Sequence, residues 1–100
     1  MARYPVILHK DPGSDYGVTV PDLPGCFSAG TTPEEAAVNV VEAIACHLEG
    51  LFIDGEPIPE PRAMAAIDPA QYDPAHCWMY IEVDLSPFQN QEIALAHRPN

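Results

Sequence analysis

Fifteen carboxylates, three cysteines and four histidines are the reactive groups of this 100-residue chain. Converging carboxylates hold Mg²⁺ for hydrolysis or act as general acid and base. Cysteine with histidine binds zinc or forms an activated nucleophile. The spacing argues against each of these roles. Structural zinc uses short pairs such as CxxC or HxxxH, whereas Cys46-His47 and His76-Cys77 are adjacent, and adjacent side chains splay apart on a helix or strand. Cys26 follows a turn and reads as a small core residue, with no organised base beside it. The sequence therefore assigns no catalytic residue, no metal and no cofactor. The thiols contain no CxxC pair, Met1-Ala-Arg-Tyr-Pro leads straight into a strand pattern without a secretion signal, and no apolar run approaches membrane-spanning length. These signs predict a cytoplasmic protein with free thiols.

The carboxylates must be placed by the elements that carry them. Tyr4 to His9 reads as a strand that is apolar on both faces, hence central: Tyr4, Val6 and Leu8 share one face and Ile7 lies on the other, with Pro5 near its start. Asp11 to Asp15 is a turn cluster. Tyr16, Val18 and Val20 alternate with Gly17 and Thr19, predicting the second arm of an antiparallel hairpin. Pro21 and Pro24 end that ladder because neither donates a backbone hydrogen bond, and Gly25 turns the chain at positive φ. Cys26 to Thr31 follows as a short third strand.

The helix signal comes next. Thr32 is a good N-cap, Pro33 suits the first helical position, and Glu35 completes a capping box with Thr32. Glu34 and Glu35 lie at the positive end of the helix dipole. Ala37, Val40, Val41, Ile44, Leu48, Leu51 and Phe52 form an apolar stripe at three- and four-residue spacing, and the helix ends near Asp54 with Gly55 as its stop. Glu35, Asn39, Glu42 and Glu49 lie opposite the stripe. A proline-rich link, Glu56 to Pro61, and a single helical turn near Arg62 to Ala66 lead through an irregular stretch to a strand over Cys77 to Leu85. Glu92 to His97 reads as a short strand or a tail. The order β-β-β-α-β predicts an α+β layer in which a fourth strand returns to the sheet; if it pairs beside the first, both end strands are exposed. Helix carboxylates then face water, the first strand carries none, and Asp11 and Asp15 lie in a loop, so no Mg²⁺ site forms.

Only Arg3, Lys10, Arg62 and Arg98 are basic, and the net charge is −11. Such a chain is repelled by nucleic-acid phosphates and attracts a basic partner, although solubility alone also accounts for an acidic surface.

Several blocks resemble the HicB family, the antitoxin half of HicA–HicB toxin–antitoxin pairs. They are Tyr4-Pro-Val, Tyr16-Gly-Val, Pro21-Asp-Leu-Pro-Gly-Cys-Phe-Ser-Ala-Gly30, Thr32 with Glu34-Glu-Ala36, Glu42-Ala43, His47-Leu-Glu-Gly50, Asp54-Gly-Glu-Pro-Ile-Pro59 and Val83-Asp-Leu-Ser86. The resemblance implies a partial ribonuclease-H-like fold over residues 1–87. It implies a non-enzymatic cytoplasmic protein that covers the active site of a small basic HicA toxin, an mRNA-cleaving ribonuclease. Family members usually continue into a ribbon-helix-helix or helix-turn-helix that binds their own operon. Residues 88–100 stand where such a module begins, but no basic recognition helix follows, so DNA binding is not expected from these 100 residues.

Tyr16, Asp22, Glu34 and Glu35 are the expected partner-facing residues, on charge and expected exposure. Pro21, Pro24, Gly25 and Thr32 are expected to be structural. Free sheet edges allow a homodimer or tetramer. A stand-alone homo-oligomeric regulatory domain with an unrelated partner is the alternative.

Overall fold

A computed structural model describes residues 2–10, 12–68 and 77–88 of the chain. The expectations placed on Asp11, His76, Glu92 to His97 and Arg98 lie outside them. Four strands, β1 (Ala2–Lys10), β2 (Tyr16–Thr19), β3 (Phe27–Gly30) and β4 (Cys77–Val83), form one antiparallel sheet in the order β3-β2-β1-β4. Helix α1 (Pro33–Ile53) packs on one face. The expected α+β layer is the observed one, and the last strand pairs beside the first, which leaves β3 and β4 at the sheet edges.

The two-sided apolar pattern of the first strand marks its central position. Tyr4, Val6 and Leu8 enter the core beneath the helix, and Ile7, on the opposite face, is also fully buried. β1 is longer than the Tyr4-to-His9 expectation because β4 pairs with it from Ala2 to Leu8. β2 pairs with β1 only from Ile7 onward, so Pro5 lies outside that ladder, where its missing donor is tolerated. β4 stops at Val83 instead of Leu85. There the Asp84 carboxylate accepts the Ser86 N–H at 2.9 Å and turns the chain into a 3₁₀ turn, Ser86–Phe88. That hydrogen bond holds the Asp84 carboxyl below its ordinary range.

The helix begins where its caps dictate. The Glu35 N–H donates to Thr32 Oγ1 at 3.1 Å. The Glu35 carboxylate reaches one residue further back than a standard capping box: it accepts from the Thr31 N–H at 3.2 Å and the Thr31 hydroxyl at 3.1 Å. At the other end, Glu56 N–H donates to Leu51 O and Gly55 N–H to Phe52 O, the paired bonds of a Schellman stop.

The buried row is Ala36, Val40, Ile44 and Leu48. Val40, Ile44 and Leu48 are buried as the stripe predicts, Ala37 and Leu51 pack partly buried against the core, and Ala36, which the stripe left out, is buried as well. Val41, expected in the stripe, is 39% exposed. Four residues span slightly more than one turn, so a strict four-residue row drifts slowly around the helix and leaves Val41 on its shoulder. By length and composition α1 also qualifies as a membrane-crossing helix, which corrects the expectation that no segment approaches that length. Here its buried row packs against Tyr4, Val6, Leu8 and Val18.

One close approach fixes where the helix sits on the sheet. A Cβ on Gly30 would stand 2.4 Å from Ala36 N and 2.9 Å from Ala36 Cα. These are backbone atoms of the first helical turn, so no side-chain rotation relieves the overlap. Only glycine lets β3 run this near the helix N-terminus.

Candidate protein-interaction surface

The Pro21-to-Gly25 turn closes the β2–β3 hairpin at one end of the sheet. Leu23 N–H donates to Val20 O, Cys26 N–H to Leu23 O, and Val20 N–H to Cys26 O. Pro21 and Leu23 are buried, and Leu23 anchors the turn in the core. Pro24 and Gly25 are exposed, and Gly25 takes φ +86°.

Asp22 does not project into solvent as expected. Its side chain is only 3% exposed against 48% for its partner Arg62. It accepts from the Arg62 backbone N–H at 2.8 Å and from Arg62 Nε at 2.5 Å. A second tie holds the same proline-rich segment, because Tyr4 Oη donates to Pro59 O at 2.6 Å. Burial, with Asp22 and Glu60 nearby, pushes the Tyr4 phenol above its ordinary value. A third tie follows where Met64 N–H donates to Tyr80 Oη at 3.0 Å. Asp22 thus clips the link after the helix onto the hairpin turn.

Tyr16, Glu34 and Glu35 gather at the other end of the hairpin. Tyr16 is half-buried opposite Gly30, with Lys10 Nζ 5.7 Å from its ring centroid. Glu34 and Glu35 are exposed in the first helical turn beyond Gly30. The structure therefore brings three of the four expected residues to one end and puts Asp22 at the opposite one. Glu35 also has a structural role through its bonds to Thr31.

Two features escaped sequence reasoning. The first is Phe27, 64% exposed on the edge strand. It borders a groove of about 220 Å³ lined by Thr19, Val20, Pro21, Pro24 and Gly25. An aromatic inside a strand pattern looks like core, and only the register, Phe27 opposite Thr19 on the face away from the helix, reveals otherwise. The second is Asn39, whose Nδ2 donates to Ala29 O at 2.8 Å on that edge. Glu35, Asn39 and Glu42 follow at helical spacing, so the contacts of Glu35 and Asn39 with the β3 segment put this acidic flank beside the edge. Each described arginine and lysine has a partner of its own: Arg3 lies 4.8 Å from the Tyr80 ring centroid, Lys10 over Tyr16, and Arg62 on Asp22.

Among the described residues, no three of His, Cys, Asp and Glu group as metal ligands. Burial, with a smaller contribution from Cys46, pushes the Cys26 thiol up, which disfavours the thiolate a nucleophile needs. The surface offers charge, an apolar groove and a strand edge, which are means of binding a protein.

The family model for the HicB-like antitoxin of bacterial toxin–antitoxin systems matches residues 4–96. The chain belongs to this family. Antitoxin HicB of Burkholderia pseudomallei superposes on the HicB-like chain with a TM-score of 0.73 and 37% identity, over 100% of this chain and 71% of that one. A chain of the solved HicA3 and HicB3 toxin–antitoxin complex superposes with a TM-score of 0.61 and 32% identity, over 82% of this chain and 98% of that one. Antitoxin HicB 1 of Photorhabdus laumondii is 39% identical over 59 residues, 59% of this chain and 38% of that protein. The matched stretch thus spans less than half the length of some of its sequence relatives.

Proposed function

We propose that this HicB-like chain neutralises a HicA-type ribonuclease toxin by binding over its active site. The observation that carries the reading is the exposed acidic flank of α1, with Glu34, Glu35 and Glu42, beside a sheet edge that bears an exposed aromatic. A small basic toxin supplies the opposite potential, which speeds encounter and sets orientation. The solved complex of a similar chain with its toxin supports the choice of partner. In this reading the chain performs no catalysis and acts by occlusion. Residues 1–87 form the toxin-binding unit, residues 88–100 belong to a separate C-terminal segment, the antitoxin works in the cytoplasm, and two or four copies associate.

Co-expression with the small basic reading frame beside its gene tests the proposal. That frame alone should arrest growth, and this chain should restore it. Affinity should fall on the order of tenfold between about 0.1 and 1 M salt. A harmless frame, or a chain that does not bind its product, sinks the reading. Salt-insensitive binding removes the electrostatic part.

A further inference from the structure

We propose that the toxin adds an extended strand to the free edge of β3, with apolar side chains on one face and basic side chains on the other. The proposal rests on the antitoxin reading above and specifies how that surface is used.

The backbone of β3 sets the geometry. Val20 N–H donates to Cys26 O, so Cys26 faces β2, and the alternation of an antiparallel ladder makes Ser28 and Gly30 face β2 as well. Phe27 and Ala29 then direct their N–H and C=O groups away from the sheet. The Asn39 contact agrees independently, because its amide reaches the Ala29 carbonyl from outside the sheet. Asn39 covers that carbonyl and leaves Phe27 N–H, Phe27 C=O and Ala29 N–H to receive a partner backbone. An edge of this kind is a template for strand addition.

The two sides of that edge differ in chemistry. Phe27 and Ala29 are exposed on the face away from the helix, next to the groove of Thr19, Val20, Pro21, Pro24 and Gly25. On the other side stand Glu35 and Asn39 of α1, through their contacts with Thr31 and Ala29, and Glu42 is exposed one helical turn further on. An added strand alternates its side chains between these environments. Its outer positions meet Phe27 and the groove, and its helix-side positions meet carboxylates. This pattern selects a basic, amphipathic strand. A second copy of a chain carrying −11 would set acidic flank near acidic flank, so self-pairing is disfavoured.

Residue-resolved amide exchange tests the proposal, on this chain alone and with the cognate toxin made catalytically inert. In the free chain, Phe27 and Ala29 amides should exchange freely while Ser28 is protected by β2. In the complex, both should slow at least roughly tenfold. Ala29→Pro removes an N–H that points away from β2 and has no partner among the described residues, so it should keep the thermal midpoint and weaken binding about tenfold. Phe27→Ala tests the same edge by side chain alone and should weaken binding on the order of thirtyfold. A complex that forms with unchanged Phe27 and Ala29 exchange and full affinity for both variants overturns strand addition and leaves the antitoxin reading standing. Failure of the unaltered chain to bind toxin overturns both. Protection of these amides in the toxin-free chain that rises with its concentration assigns the edge to self-pairing and overturns the proposal.

Discussion

Replacing Gly30 with alanine should destabilise the protein through a single backbone overlap. The new Cβ would lie 2.4 Å from Ala36 N, where ordinary contact is 3.4–4 Å. β3 and the helix start must therefore separate by about 1 Å, a distance a close-packed interior resists. Overpacking of this type costs about 1–3 kcal/mol. Against it stands a gain of about 0.5–1 kcal/mol, because alanine suits a strand better than glycine. The net loss centres on about 1 kcal/mol and reaches at most about 2.5 kcal/mol, which for a domain of this size lowers the melting temperature by roughly 4–20 °C. The same displacement strains the Thr31–Glu35 and Asn39–Ala29 contacts, so toxin affinity should fall as well. Gly50→Ala is the matched control. It lies within α1 with nothing inside 4 Å of the added Cβ, so it should stabilise by about 0.5–1 kcal/mol. Thermal unfolding followed by circular dichroism reads both variants. A Gly30→Ala protein that melts at or above the unaltered chain refutes the packing account of how β3 meets the helix.

Asp22→Ala should lose about 1 kcal/mol, a modest figure because Arg62 is half exposed, and the Arg62 amide should exchange faster. Unchanged exchange at Arg62 would remove the clip. Tyr4→Phe should cost about 1 kcal/mol by leaving the Pro59 carbonyl unpaired. The Tyr4 phenol is raised in the folded state. Its contribution is therefore fully present below the ordinary tyrosine value of 10.0 and is lost as pH rises through the higher folded value. Urea midpoints from pH 9 upward (roughly one unit either side of that value) should fall for the unaltered chain and fall less steeply for Tyr4→Phe. Parallel pH curves would refute this assignment.

Local signals made most of the fold readable. A strand apolar on both faces had to be central, and Ile7 is buried on the side away from the helix. Thr32, Pro33 and Glu35 located the helix start because capping acts within four residues. Features that depend on distant partners were not readable. Asp22 finds Arg62 across 40 positions and Tyr4 finds Pro59 across 55, and no periodicity encodes such meetings. The centre of the apolar stripe, Val40, Ile44 and Leu48, was legible, but its margins depended on how the helix lies across the sheet, so Val41 was placed inside and lies on the shoulder while Ala36 is buried.

The interaction surface was legible in charge and not in geometry. Counting carboxylates allowed a basic partner and equally an acidic surface kept for solubility. Only the strand register showed that Phe27 faces outward, and only the helix contacts showed that the β3 segment runs beside Glu35 and Asn39. The exposure of Phe27 was not legible because a four-residue strand is too short for alternation alone to reveal which face is buried.

Titrating the purified cognate toxin with this chain while following cleavage of an mRNA substrate is the most direct test of the central claim. The account predicts that cleavage falls in proportion to added chain and stops at a fixed stoichiometric ratio. Undiminished cleavage at saturating chain would contradict it.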